Sequence, residues 1–443
     1  MRVSWFGRRT FGAAVAAGML VSFAAACGGD DGGAEGEGGG DGPLKGVTIE
    51  VAAKWTGPEE ENFRKVLDAF EKQSGATVNY ASTGENTDAY LGPRLSAGNP
   101  PDVAILPQPG LMRQYAKDGK LKPLGADVVA EVEKNFEPYW KELGSSDGKT
   151  YGVMIKAAYK SIIWYSPEAF STAGVQPPKS FDELAQASTT LLNSGTTPFT
   201  LAAGPQDSWT LTDWFENVYL SQAGPENYDK LADHELKWTD KTVADALETL
   251  AKVWGEPDFL NGGVATATKT KFDESVTQVF GQQKGAMVYG GDFAAANIGT
   301  TEAKVGTDAK VFAFPQAGDT APAILGGDVA VGLTDEKGTQ ALMKYLASPE
   351  AGKTWAGLGG YLTPNKNVPP DSYSDPIAKQ LIQQLQAAGD AARYDMSDLT
   401  PAAFGATPGA GMWEALRQFV QNPTDVEGTQ KKLEAEAAEA YGE

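Results

Sequence analysis

The chain has 443 residues, 37 of them basic and 58 acidic, for a net charge of −21. So acidic a protein repels phosphate backbones and anionic lipid, which sets nucleic acid aside as a partner. One histidine and one cysteine cannot assemble a Cys/His zinc site, and no cofactor is expected. The first ten residues carry Arg2, Arg8 and Arg9 and no acid, and a 13-residue apolar stretch from Phe11 to Phe23 follows, broken by Ser22. Ala24-Ala25-Ala26-Cys27 comes next. A basic start, a short apolar core and small residues before a cut have the layout of a secretory signal peptide over residues 1–26. The apolar core is shorter than the roughly 20 residues of a spanning helix. An uncleaved anchor is the rival reading.

Gly28 to Pro43 holds nine glycines and five acids in sixteen residues, a composition that cannot bury enough surface to fold. Residues 27–44 therefore read as a modifiable cysteine and a flexible tether spanning roughly 20–25 Å. AAAC before a polar glycine run resembles the bacterial lipoprotein signal, with Ala24 where leucine usually stands. That resemblance implies a lipidated Cys27 and a protein anchored to the extracytoplasmic face of the cell membrane. A secreted protein with a stray thiol is the alternative. Arg8-Arg9-Thr10-Phe11 also resembles a twin-arginine export signal.

A chain of this length exceeds what one hydrophobic core usually organises, so two domains are expected. Val47–Ala53 reads as a strand. Pro58 to Gly75 reads as a helix: Pro58 suits its first turn, Glu59 to Glu61 suit its positive end, and Phe63, Val66, Leu67 and Phe70 form one apolar face. Thr77–Ser82 and Asp102–Leu106 are further strands, with a helix over Thr87–Ala97 between them. Alternating strands and helices predict a parallel sheet wrapped by helices, with ligands at the carboxyl ends of the strands. Tyr151–Tyr165 reads as a strand pair or a crossing segment. Phe181–Asn193 and Val243–Val253 read as helices. Gly285–Tyr289 and Val311–Phe314 are short strands. Ala323–Leu333 is a strand whose glycines mark a bend or a close approach. Gly338–Trp355 is a helix split at Pro349. His234, within a very polar stretch, reads as a solvated surface side chain.

Tryptophan and tyrosine recur beside acids in loops, most densely over Asp207–Trp214. That mixture suits sugars. Flat rings cover the C–H faces of a pyranose. Ionised carboxylates accept hydrogen bonds from its hydroxyls, each worth about 1.5–3 kcal/mol net. Trp209 and Trp214 are five apart, so on a helix they lie on different faces. Each aromatic taken singly is equally a core residue, and Asp213 is equally a solvated acid or a cap.

Phe63–Val78, Leu95–Val103 (LSAGNPPDV), Tyr151–Tyr165, Pro178–Leu184, Gly285–Gly291, Gly326-Gly327-Asp328 and Leu346–Trp355 together resemble the solute-binding lipoproteins of bacterial ABC sugar importers, relatives of maltose-binding protein. The resemblance implies an α/β, periplasmic-binding-protein-like fold: two discontinuous α/β lobes with a ligand cleft between them. Lobe one would hold residues 45–155 and 330–362, and lobe two residues 156–329 and 363–443. Tyr151–Tyr159 and Gly326–Gly332 would be hinge strands. By similarity the cleft would be faced by Trp55, Gln108, Tyr159, Trp209, Asp213, Trp214, Asp292, Asp328, Tyr361, Asp395, Asp398 and Trp413. Where relatives often carry a stacking tryptophan, Gly290-Gly291-Asp292-Phe293 stands instead. The acidic stretch Asp395–Asp398 resembles the branch that binds α-glucosides and similar oligosaccharides. The implied role is the substrate-binding component of an importer, a monomer that captures a di- or oligosaccharide by closure and hands it to a permease. Two alternatives stay open. One is an anchored glycoside hydrolase using Asp395 and Asp398, whose carboxyls would have to flank the bond cut. The other is a receptor of the same fold for a non-sugar solute.

Overall fold

The computed structural model describes residues 42–84, 86–387 and 392–443. The signal-like segment, Cys27 and the glycine run up to residue 41 lie outside the described residues. Two sheets organise the chain. The larger has six strands. Its first part is the expected alternation of β1 (Thr48–Ala53), α1 (Gly57–Ser74), β2 (Thr77–Ser82), α2 (Thr87–Ser96), β3 (Val103–Leu106) and α3 (Pro109–Lys117). Strands β2, β1 and β3 run parallel in that order. On α1 the side chains of Phe63, Val66, Leu67 and Phe70 are buried, each such burial being worth about 1.5–3 kcal/mol.

The segment Tyr151–Tyr165 is a crossing between the sheets. Strand β4 (Gly152–Tyr159) belongs to the larger sheet and β5 (Ile162–Tyr165) to the smaller, so Lys160 and Ser161 alone separate them. The smaller, four-stranded sheet adds β6 (Phe199–Thr200), β7 (Met287–Tyr289) and β8 (Lys310–Ala313), in the order β8-β5-β7-β6. Around it lie α4 (Phe181–Asn193), α5 (Trp209–Ala232), α6 (Lys241–Trp254) and α7 (Phe272–Phe280).

Strand β9 (Ile324–Gly332) returns to the larger sheet, antiparallel to both β3 and β4. Its glycines answer a close approach. A Cβ on Gly327 would stand 2.2 Å from the Lys156 carbonyl oxygen, and one on Gly326 would stand 2.7 Å from the Lys160 side chain. The register slips between Asp328 and Val329, a bulge that bends the strand there. After β9 the expected helix is broken at Pro349 into α8 (Lys337–Leu346) and α9 (Pro349–Ala356). The two-residue β10 (Arg393–Tyr394) then joins the larger sheet beside β9, before α10 (Gly411–Gln421) and α11 (Val426–Tyr441). Asp102 ties these parts together. Its carboxylate accepts from the Glu50 backbone N–H at 2.9 Å and from the Thr334 hydroxyl at 2.9 Å.

Each sheet has its own core. Ile49, Val51, Ile105, Phe63, Phe70, Leu342 and Leu346 pack around the larger one, and that core continues through Val368, Tyr373 and Leu381. Ile163, Phe199, Trp214, Phe215, Trp254, Met287, Phe314 and Leu416 pack around the smaller one. His234 corrects the sequence reading. It is 4% exposed, with ring nitrogens 3.1 Å from Glu443 and 3.4 Å from Glu434. Its ring stacks on Tyr441 with centroids 5.1 Å apart. The C-terminal helix α11 covers the polar stretch that alone looked solvent-facing. Among the described residues, no helix is long and apolar enough to cross a membrane.

Candidate functional site

A cavity of about 490 Å³ is walled by elements of both sheets. From the larger sheet come the β1–α1 turn (Lys54 to Glu59), the β3–α3 turn (Pro107, Gln108), and Lys156 and Asp328 of β4 and β9. From the other side come Gln206, Asp207 and Trp209 at the start of α5, Lys271 to Asp273 at the start of α7, and Phe293 after β7. Lys160, Ser397, Asp398 and Trp413 also line the cavity. The turns after β1 and β3 lie at carboxyl ends of parallel strands, where such sheets gather ligands. The volume falls in the range of small-molecule sites, roughly 300–1,000 Å³.

Six of the twelve residues expected at a cleft line this cavity: Trp55, Gln108, Trp209, Asp328, Asp398 and Trp413. Trp209 is half-buried and its ring meets Phe272 and Phe293 at 5.0 and 5.7 Å between centroids. These three rings make one aromatic wall, with Phe293 standing where the sequence lacked a tryptophan.

Tyr159, Asp213, Trp214, Asp292, Tyr361 and Asp395 do not line the cavity, and each has a structural reason. Trp214, five residues beyond Trp209 on α5, points into the smaller sheet's core against Phe199, Phe314 and Tyr289. Tyr361 stacks flat on Trp355 at 4.6 Å, and its hydroxyl donates to the Ile155 carbonyl at 2.7 Å. Asp292 accepts the Tyr159 backbone N–H at 2.7 Å, holding the end of β4 against the loop after β7. Its other carboxylate oxygen is buried with no hydrogen-bond partner among the described residues. Burial pushes the Asp292 carboxyl up to about 7, against the pull of that hydrogen bond and of Lys156.

Asp213 and Asp395 stand behind the wall and hold Lys160. The Lys160 ammonium contacts Asp395 directly, Asp213 at 3.2 Å and Asp398 at 3.7 Å. Tyr289 donates to the Lys160 carbonyl at 2.7 Å and to Asp213 at 3.2 Å. Glu216, one turn along α5, accepts the backbone N–H groups of Met396 and Ser397 at 2.9 and 3.0 Å. Burial raises the carboxyls of Asp213 and Glu216 well above the usual range, against the pull of the Lys160 ammonium. For Asp395 burial is outweighed by the Lys160 ammonium and by hydrogen bonds from Lys160, Ser397 and Asp213, so it stays ionised. Burial also opposes the charge on Lys160, but Asp213, Asp395 and Asp398 overcome it and the amine stays protonated. Asp398, its side chain 16% exposed at the cavity wall, is pushed up to about 8 by burial and by the Asp395 charge. Oxygens of Asp213, Glu216 and Asp395 lie within 4.8 Å of one another, a spacing that suits a cation, and the Lys160 ammonium supplies one. Asp395 is fully buried and, unlike Asp398, does not line the cavity.

The sequence reading missed Lys156 and Lys160. The signal was present: two cations at i and i+4 inside an apolar run. Buried ammonium groups need partners, so each marks a polar site inside the fold. Lys156 pairs with Glu59 at the start of α1. Lys54 lies 3.9 Å from Asp328. Every one of these three cavity lysines therefore faces a carboxylate.

Known proteins share this architecture. A chitin oligosaccharide binding protein superposes with a TM-score of 0.76 at 22% identity, over 90% of this chain and 99% of that one. RafE, solved in complex with raffinose, gives 0.73 at 18% identity, over 89% and 100%. These likenesses show a two-lobed solute-binding fold. The osmoprotective compounds-binding protein GgtB of a Synechocystis strain is 31% identical over 84% of this chain and 88% of its own length. The alpha-glucosides-binding periplasmic protein AglE of Rhizobium meliloti is 31% identical over 85% and 84%. The model of one family matches residues 56–353, and the chain belongs to that family, the bacterial extracellular solute-binding proteins.

Proposed function

We propose that this chain is the substrate-binding component of an ABC importer, capturing a neutral di- or oligosaccharide in the cavity and delivering it to a membrane permease. The observation that carries this is the cavity itself, whose indole and phenyl faces and paired charges come from both sheets. Trp55, Trp209 and Trp413 offer faces to sugar C–H surfaces, while Gln108, Asp328 and Asp398 offer hydrogen bonds to hydroxyls. A ligand touching both sides favours the arrangement in which the sides are close, and it shifts the equilibrium by that differential affinity. The relative named for alpha-glucosides and the solved complex with raffinose support a glycoside ligand. The relative named for osmoprotective compounds keeps other small solutes in the test panel.

In this reading the larger-sheet and smaller-sheet halves are the two lobes, with β4 and β9 as hinge strands. Cys27, lipidated after cleavage, leashes a monomeric receptor to the extracytoplasmic face of the cell membrane through residues 28–44. The protein binds and releases its ligand without cutting it. Titration with maltose, trehalose, cellobiose, raffinose, xylo-oligosaccharides and monosaccharides, read by tryptophan fluorescence and thermal shift, tests the assignment. Saturable binding with unchanged sugar is expected. Silence across the panel, or shorter products, would contradict it.

A further inference from the structure

Lys156 is nearly inaccessible, its side chain 4% exposed, and it lies between the Trp55–Trp355 pair on one side and Phe293 on the other. Its ammonium sits 5.4 Å from the Trp55 ring centroid, 5.7 Å from Trp355 and 5.6 Å from Phe293. All three distances fall within the roughly 6 Å over which a cation is attracted to a ring face. Among the described residues its carboxylate partner is Glu59. Trp55 and Trp355 belong to the larger sheet's core. Phe293 follows β7 of the smaller sheet, packs on Trp209 and Phe272, and lies against that same core from the other side of the cavity.

We propose that Lys156 is a positioning residue for ligand capture: its ammonium fixes the rings of Trp55 and Phe293, one from each side of the cavity, so that both are preorganised before ligand enters. Neither ring is fixed by a hydrogen bond of its own. The Trp55 indole N–H is buried without a partner, and a phenyl has none to offer. Trp55 is held edge-on by Phe63 and Trp355, each with centroids 4.9 Å away, and Trp355 is backed by Tyr361. The ammonium lies within reach of this stack and of Phe293 on the opposite wall together. Its partner Glu59 opens α1, where a carboxylate also suits the helix's positive end.

The inference rests on the cavity being the ligand site, and its test has one arm that does not need a ligand. Lys156→Met keeps the length and apolar stem and removes the charge. Lys156→Arg keeps the charge and its attraction to rings. For whichever sugar the wild type binds, Lys156→Met is expected to weaken binding about tenfold, and Lys156→Arg to recover it to within about threefold. Without sugar, the near-UV circular dichroism of the indoles, which reports fixed ring geometry, is expected to weaken in Lys156→Met and persist in Lys156→Arg. Binding within about twofold of wild type and an unchanged indole band in Lys156→Met would overturn the proposal. Equal loss in both variants with an unchanged band would also overturn it, because Lys156 would then be a direct contact. A wild type that binds no sugar defeats the sugar reading, while the ligand-free band still decides this one. If Lys156→Met does not fold, Lys156→Gln, which also removes the charge, carries the test. A weakened band supports the role, and an unchanged one overturns it.

Discussion

Lys156 and Lys160 stand one helical repeat apart in number but on the same crossing segment, both buried, and their surroundings differ in kind. Lys156 lies within β4 among three rings and one carboxylate. Lys160 lies in the step from β4 to β5 among three carboxyls and has one ring, Trp209, at 5.8 Å. An ammonium among rings sets the orientation of apolar walls. An ammonium among carboxyls makes a buried acid cluster tolerable and so holds α5 and the 395–398 turn to the crossing. The first arrangement governs what the cavity presents, and the second governs whether the cavity exists.

The largest effect that separates them is on stability. Lys160→Met leaves Asp395, Asp213 and Asp398 together without a cation and is expected to cost about 3–5 kcal/mol, read as a lowered denaturation midpoint. A loss under about 1 kcal/mol would mean the carboxyls simply share protons and need no lysine. Next comes the aromatic wall. Trp209→Ala is expected to cost about 2 kcal/mol of sugar binding, roughly thirtyfold in Kd, by calorimetry. Trp214→Phe, inside the smaller sheet's core, should leave Kd nearly unchanged while lowering the melting temperature. The opposite pattern would reverse their assigned positions.

Asp292 gives a pH test of similar size. Burial raises its carboxyl from 3.8 to about 7, so between those values the folded chain keeps a proton that the unfolded chain has lost. Stability therefore falls as pH climbs through that window and levels off above it. The group accounts for about 2.5 kcal/mol between pH 5 and pH 8. In Asp292→Asn the amide oxygen still accepts the Tyr159 N–H and the titration is gone, so melting temperature should vary less across that range. An unaltered pH profile would remove Asp292 as its source. The smallest effect belongs to Glu59, whose side chain is 26% exposed. Glu59→Gln should lower stability by under about 1 kcal/mol, because water partly replaces the carboxylate. A loss as large as that of Lys160→Met would erase the contrast between the two lysines.

Much of the larger sheet was legible because its elements carry local signals. The four-position apolar face of α1, Pro58 at its start and the alternation of strand and helix each point to one structure. The cavity was half legible. On α5, helical spacing told that Trp209 and Trp214 face different ways, but nothing local told which way was inward; the rings that meet Trp214 (Phe199, Tyr289 and Phe314) come from distant segments. On β4 every residue is buried, so strand alternation gives no outward face and the lysines vanish into the apolar run. Asp213, Asp292 and Asp395 looked like ligand groups because an acid in a loop normally meets water. Here their partners come from segments distant in sequence: Lys160, the Tyr159 N–H and Ser397. His234 was misread for the same reason, its cover being α11.

The most direct measurement is a crystal structure of the chain soaked with the tightest sugar of the panel. This account predicts a pyranose ring stacked on Trp209 or Trp413, with hydroxyls within hydrogen-bond distance of Asp328 or Asp398 and groups of both sheets in contact. Density for the sugar outside this cavity, or touching one sheet alone, would contradict it.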